Sequence, residues 1–312
     1  MRIIVTGACG FIGSHLTREL AKTCKVTGID VLDSHVYDSQ IKRANFFDLS
    51  KLQNVELIQA NLLDLDLVDI FSRNDVVINL AATPGLIPSW IKFDVYVENN
   101  LVVVHKILEA VKETKVRLIH ASTSSVYGAF ATGNEEAALN PNSPYGVTKL
   151  GAEHLIESYR KNFAVQATVL RYFSIYGPGQ RPDMGYFKFI DKMLRGEKIL
   201  VTGTGEQTRS NTFVTDCVSA TVQCLYTPKA IGQTYNISGK EKISALGVIE
   251  KIGKLLEVTP DLEFLPPRAG DQLETFGDSR KAFEHFGFDP VIPIDEGLEL
   301  QIFHQKSNLK KY

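Results

Sequence analysis

Arg2-Ile3-Ile4-Val5-Thr6-Gly7-Ala8-Cys9-Gly10-Phe11-Ile12-Gly13 runs an apolar, β-branched segment straight into three glycines and then into a helical pattern over 11–23. A strand, a Gly-rich turn and a helix in that order bring free backbone amides and the positive end of a helix dipole to one point, which suits a pyrophosphate. The glycines, spaced GxxGxxG, let the main chain approach such a ligand closely. Gly7, Gly10, Phe11, Ile12 and Gly13 are therefore expected to bind a dinucleotide. Asp30 ends the next apolar run, 17 residues beyond Gly13. A carboxylate there accepts hydrogen bonds from the adenosine ribose hydroxyls and repels a 2′-phosphate, which favours NAD over NADP. Lys42 and Arg43 lie further on and complicate that choice.

Outward from this unit the first half keeps one rhythm. Strand-like runs at Arg2–Thr6, Lys25–Asp30, Val55–Gln59, 75–80, 116–121 and 165–172 alternate with amphipathic stretches. That alternation predicts an α/β fold, a Rossmann-type doubly wound parallel sheet covered on both faces. After Pro178 the elements shorten and loops increase, which predicts a smaller C-terminal α/β substrate-binding region. We assign 1–177 to the NAD-binding domain with its catalytic helix and 178–305 mainly to substrate. Helices at 215–226 and 244–257 return in part to the first domain, and 306–312 form a polar tail.

With 312 residues, 44% hydrophobic and 22% charged, the chain is globular in composition. Its 34 basic against 36 acidic residues give no general field for nucleic acid or an anionic membrane, so any anionic ligand must be met locally. No apolar run reaches the length of a membrane helix and no signal segment is visible, so a cytoplasmic location is expected. Cys9, Cys24, Cys217 and Cys224 have no metal-type spacing and read as reduced thiols; no metal site is expected.

Tyr145 and Lys149 open a helical stretch at 145–161 and share one face, a turn apart. A phenol is a poor base at neutral pH, but an adjacent ammonium stabilises phenolate and makes Tyr145 usable as a general base. Before it, an apolar strand runs into Ser122, Thr123, Ser124 and Ser125 at its carboxyl end, the ligand-binding edge of an open α/β sheet. Together with Asn79-Leu80-Ala81-Ala82 and Leu170-Arg171-Tyr172-Phe173-Ser174, these motifs resemble the extended short-chain dehydrogenase/reductase family, in its nucleotide-sugar epimerase, dehydratase and decarboxylase branches. The resemblance covers about residues 1 to 290.

The resemblance implies roles. Thr123 shares the sugar 4-hydroxyl with Tyr145, and Lys149 also holds the nicotinamide ribose. Asn61, Leu62, Ala81, Asn100, Ser122 and Tyr172 border the cofactor, with the Asn61 amide oxygen accepting from the adenine amino group. Dehydratases carry Asp and Glu where Ser124 and Ser125 stand, and decarboxylases carry Glu at the second, so water loss and decarboxylation lose weight. The segment Tyr176-Gly177-Pro178-Gly179-Gln180-Arg181-Pro182-Asp183-Met184 is most like that of UDP-glucuronate 4-epimerases, which makes Arg181 the reader of a uronate carboxylate. Pro84 and Gly85 flank the sugar and Ser174 lies near it. Arg209 and Arg268 meet the diphosphate, and Asp271 the uridine ribose. Ser210-Asn211 replace the Asp-Phe usual after that arginine.

A UDP-sugar substrate, NAD and a homodimer built on helices at 95–111 and 149–159 are thus implied. A UDP-galactose/UDP-glucose 4-epimerase, a UDP-glucuronate decarboxylase and a catalytically silent NAD-sensing regulator stay open. His105, His120 and His154 show no metal-like grouping and read as packing or surface residues.

Overall fold

The computed structural model describes residues 1–34 and 36–308, so 309–312 of the expected tail lie outside the described residues. Seven strands form one parallel sheet, in the spatial order Thr234–Ile237, Ala167–Tyr172, Arg117–Thr123, Val76–Asn79, Arg2–Thr6, Lys25–Asp30, Val55–Gln59. This is the expected Rossmann-type α/β sheet. The order reverses beside Arg2–Thr6, which opens a crevice at the carboxyl ends of the strands.

Alternation along the strands divides the core. Ile3 and Val5 face a cluster with Leu16, Leu20, Val214 and Cys217 on one side, whereas Ile4 joins Phe71, Ile107, Leu108 and Ile156 on the other. Each face is thereby sealed by helices: Phe11–Leu20 and Val214–Leu225 on the first, Leu67–Ser72, Val103–Thr114 and Pro144–Phe163 on the second.

The strand Thr234–Ile237 was not anticipated. It leaves the C-terminal half to pair with Ala167–Tyr172, so the returning segments include sheet as well as helix. A smaller four-stranded sheet runs Lys242–Ser244, Thr208–Ser210, Glu274–Gly277, Phe130–Gly133. It borrows its last strand from the first half, so the two regions exchange chain. The final helix, Ile294–Asn308, already includes the first three residues of the expected tail.

Candidate active site

At the cofactor end the turn has the geometry its glycines imply. Gly7 sits at φ 68°, and a Cβ on Gly13 would lie 2.0 Å from the Gly7 carbonyl oxygen. Gly10 caps the helix Phe11–Leu20, with no side-chain cap and no acidic residue in its first turn. Phe11 is buried and Ile12 half-buried behind it. The helix itself carries no acidic residue in its first turn to compete for its terminal amides, so the turn fits a diphosphate.

Asp30 is buried beneath the same turn. Its Oδ2 accepts from the Cys9 amide at 3.0 Å, and its Oδ1 from Leu32 N at 2.9 Å and from Lys42 Nζ at 3.0 Å. Lys42 therefore returns in space to the carboxylate, and charge repulsion alone does not exclude a 2′-phosphate there.

Some expected cofactor residues are committed elsewhere. Asn61 Oδ1 caps the turn Leu62–Asp64 through Leu63 N at 3.0 Å, which leaves one lone pair where a free acceptor was expected; Leu62 is buried beside it. Asn100 spends its amide on Thr83 N, Thr83 O and the Thr148 hydroxyl, so it fixes the chain leading to Pro84 and Gly85. Ser122 donates to Glu153, which also holds Arg171 in a buried bidentate pair. Tyr172 turns its hydroxyl to Thr221, 2.8 Å away in the core, because alternation along Ala167–Tyr172 points it to the helix face. Ala81 lies half-buried at the sheet edge, its amide on Thr6.

The catalytic group assembles at the carboxyl ends. Ser143 caps the helix Pro144–Phe163 through Gly146 N at 3.1 Å and so places Tyr145 in its first turn. Burial raises the Tyr145 phenol above its usual range, while the Thr123 hydroxyl bonded to it and the nearby Arg181 pull it down. Lys149 Nζ donates to Ala121 O at 2.7 Å and lies 3.2 Å from His120 Nε2; burial brings its pKa down to about 8. Thr123 Oγ1 accepts from Ser125 N and bonds the Ser125 hydroxyl, while Ser124 bonds Gln272, whose own amide reaches the Ser124 and Gly128 carbonyls.

Tyr96, which the sequence did not single out, packs edge-on against Tyr145 at 6.2 Å and puts its hydroxyl between the Pro84 and Gly85 carbonyls. Arg181 lies near Tyr145, but its Nε and Nη2 both donate to Asp183 at 2.9 Å, and its guanidinium lies 5.6 Å from the Tyr37 ring centroid. Ser174, Asn211, Arg209, Arg268 and Asp271 line one cavity of about 610 Å³. Arg209 is held by the Thr208 and Gln272 carbonyls, and burial raises the Asp271 carboxyl against the pull of Arg268 and Arg209. Aspartate 183, His120, Tyr96 and Gln272 carry no sequence signal of their own; only their register beside the motifs reveals them.

All four cysteines are buried and unpaired. Among the described residues no cluster of three or more His, Cys, Asp or Glu is placed to hold a metal, and no helix is long and apolar enough to cross a membrane.

A dinucleotide turn joined to a Tyr-x-x-x-Lys helix on a seven-stranded parallel sheet defines an extended short-chain dehydrogenase/reductase. The sequence matches the NAD dependent epimerase/dehydratase family over residues 3–238, and the chain belongs to that family. A UDP-glucuronic acid 4-epimerase from Bacillus cereus, solved with UDP-glucuronic acid and NAD, superposes with a TM-score of 0.96 at 40% identity, over 98% of this chain and 99% of that one. An uncharacterised UDP-glucose epimerase of Bacillus subtilis (strain 168) is 38% identical over 98% of both chains. A UDP-glucuronate 4-epimerase of Thermodesulfobacterium geofontis (strain OPF15) is 34% identical over 98% of this chain and 97% of the relative.

Proposed function

We propose that the chain is an NAD-dependent 4-epimerase that interconverts UDP-glucuronate and UDP-galacturonate. The observation that carries this reading is the Tyr145 phenol in the first turn of the helix Pro144–Phe163, with the Thr123 hydroxyl and the Arg181 guanidinium near it and hydroxyls at Ser124 and Ser125. Gly7 to Gly13 and Asp30 would hold the cofactor. When bound, it would supply reversible hydride transfer at carbon 4.

Tyr145 Oη takes the proton of the 4-hydroxyl as Thr123 orients that group, and gives it back after the keto ring has turned. The two serines cannot act as a carboxyl acid–base pair, so neither elimination nor loss of the carboxylate has a proton donor there. Arg181 fixes the uronate carboxylate, which keeps the β-keto acid from aligning for decarboxylation. Arg209, Arg268 and Asp271 hold the diphosphate and ribose. In this reading 1–177 is mainly the NAD-binding domain and 178–305 mainly the substrate region. We further assign the enzyme to the cytoplasm and to a homodimer; sedimentation showing only monomer at micromolar concentration would remove the dimer.

A second reading, a neutral-sugar UDP-glucose 4-epimerase, is favoured by the Asp183 carboxylate already seated on Arg181. Incubation of the purified protein with UDP-glucuronate and with UDP-glucose, followed by separation of the sugars, decides between them. Formation of UDP-galacturonate is expected, and Tyr145→Phe should lower the rate about 10²- to 10⁴-fold with NAD still bound. Turnover of UDP-glucose alone would overturn the uronate assignment.

A further inference from the structure

The segment that carries Arg181 is tied down from two sides before the arginine is reached. Gln180 N–H donates to Gly177 O at 3.1 Å and Gly179 sits at φ 77°, so Gly177–Gln180 is a β-turn with a positive φ at its third residue. Proline at the second position and glycine at the third are the pattern of a type II turn. The carbonyl of Pro178 takes no part in closing such a turn and needs a partner from outside it.

That partner comes from the dinucleotide end, 163 residues away along the chain: His15 Nε2 lies 2.9 Å from Pro178 O. His15 belongs to the helix Phe11–Leu20, and its ring meets that of Phe11 edge-on at 6.0 Å. A Cβ on Gly179 would lie 3.8 Å from His15 Nε2 and 3.9 Å from Phe11 Cδ2, so the turn rests directly on these two rings. On its other side it meets the last helix, Ile294–Asn308. Gly177 N–H donates to Gln301 Oε1 at 3.0 Å, and Gln301 Nε2 donates to Gln180 Oε1 at 2.9 Å, where Phe187 N–H also donates. Both glutamines are buried.

Donor counting fixes the histidine ring. A carbonyl oxygen only accepts, so the contact is a hydrogen bond when the His15 proton sits on Nε2. Burial holds the imidazole below its usual range against the pull of the Pro178 carbonyl, and Arg18 and His304 add to the lowering. At neutral pH the ring is then uncharged, and its single proton is the one given to Pro178.

We propose that His15 is a positioning residue for the substrate: by holding the Pro178 carbonyl it seats the turn Gly177–Gln180 on the dinucleotide-binding helix and so aims Arg181 at the uronate carboxylate. Arg181 follows the turn directly, and its own carbonyl accepts from Met184 N at 3.1 Å, so a shift of the turn carries the guanidinium with it. The inference rests on Arg181 being the carboxylate reader proposed above. His15 lies beyond the first turn of its helix, whose amides face the phosphate site, so its loss weakens the sugar end and spares NAD.

A tautomer measurement and a double-mutant cycle test this role. Nitrogen-15 spectra of the histidine rings in the intact protein should show the His15 proton on Nε2; a proton on Nδ1 overturns the proposal and leaves the epimerase reading standing. In His15→Leu the donor is gone, and KM for UDP-glucuronate should rise about three- to tenfold with kcat and NAD affinity within about twofold of the parent. His15→Asn, too short to reach Pro178 O, is read the same way if the leucine variant does not fold. His15→Gln returns an amide N–H near the place of Nε2 and should bring KM back to within about twofold of the parent. In the Arg181→Ala background His15→Leu should change KM by less than about twofold, because a group that acts through Arg181 has nothing left to aim. Effects that simply add, or a KM unmoved by His15→Leu, overturn the positioning role while the carboxylate reading stands. Equal losses in kcat, KM and NAD affinity that glutamine does not restore mark a merely structural role and overturn it too. An unchanged KM in Arg181→Ala alone removes the carboxylate reading itself, and the role of His15 with it.

Discussion

The phosphate end of the cofactor crevice and the sugar end of the site prepare for anions in opposite ways. At the first, main chain alone is offered: a helix terminus with no side-chain cap and no acidic residue in its first turn. At the second, two of the arginines are already engaged, Arg181 by Asp183 and Arg209 by two carbonyls. The difference follows from cost. Terminal amides at a crevice can be left to solvent, whereas a guanidinium drawn into protein must be paired. A substrate anion therefore competes with internal acceptors, and the cofactor phosphates do not.

Breaking the main-chain end should have the largest effect. In Gly13→Ala the new methyl would sit 2.0 Å from Gly7 O and 2.9 Å from Gly7 C, both backbone atoms, so the turn itself must move. A loss of about 3 kcal/mol or more is expected, read as a lower Tm in calorimetry. Titration calorimetry should also show NAD affinity down by more than about tenfold. An unchanged Tm and affinity would mean the turn has slack that its geometry denies.

At the side-chain end the expected change is smaller and selective. Arg181→Ala removes a charge-assisted contact of roughly 1.5–3 kcal/mol, so KM for UDP-glucuronate should rise about 10- to 100-fold. NAD affinity should not move. If both ligands weaken equally, the two ends are not separable and the contrast drawn above fails.

The sequence exposed the main-chain end because backbone sites leave compositional marks. Glycines at a strand-to-helix turn and β-branched runs such as Arg2–Thr6 have local causes, so the parallel sheet and the Tyr145/Lys149 face were legible. Side-chain partnerships were not. Nothing local says that Asn100 clamps Thr83, that Asn61 caps its own turn, or that Tyr172 points into the core. His120 reads as one more residue in an apolar strand, and only the fold reveals its place beside Lys149. The short, half-polar strand Thr234–Ile237 was missed because its stability comes from pairing with Ala167–Tyr172 rather than from its own pattern.

The smallest effect should come from Asp183→Asn, and its sign is the informative part. The carboxylate takes two N–H groups of Arg181 and neutralises it, so a uronate must either displace it or bind along the remaining edge of the guanidinium. Asparagine keeps one acceptor, which preserves the orientation of Arg181, but withdraws the competing charge. If displacement governs binding, KM for UDP-glucuronate should fall by about two- to fivefold with kcat unchanged, a change of about 0.5–1 kcal/mol in binding. A rise in KM would instead make Asp183 a brace that aims the guanidinium, and the sugar end would then be as prepared for its anion as the cofactor end.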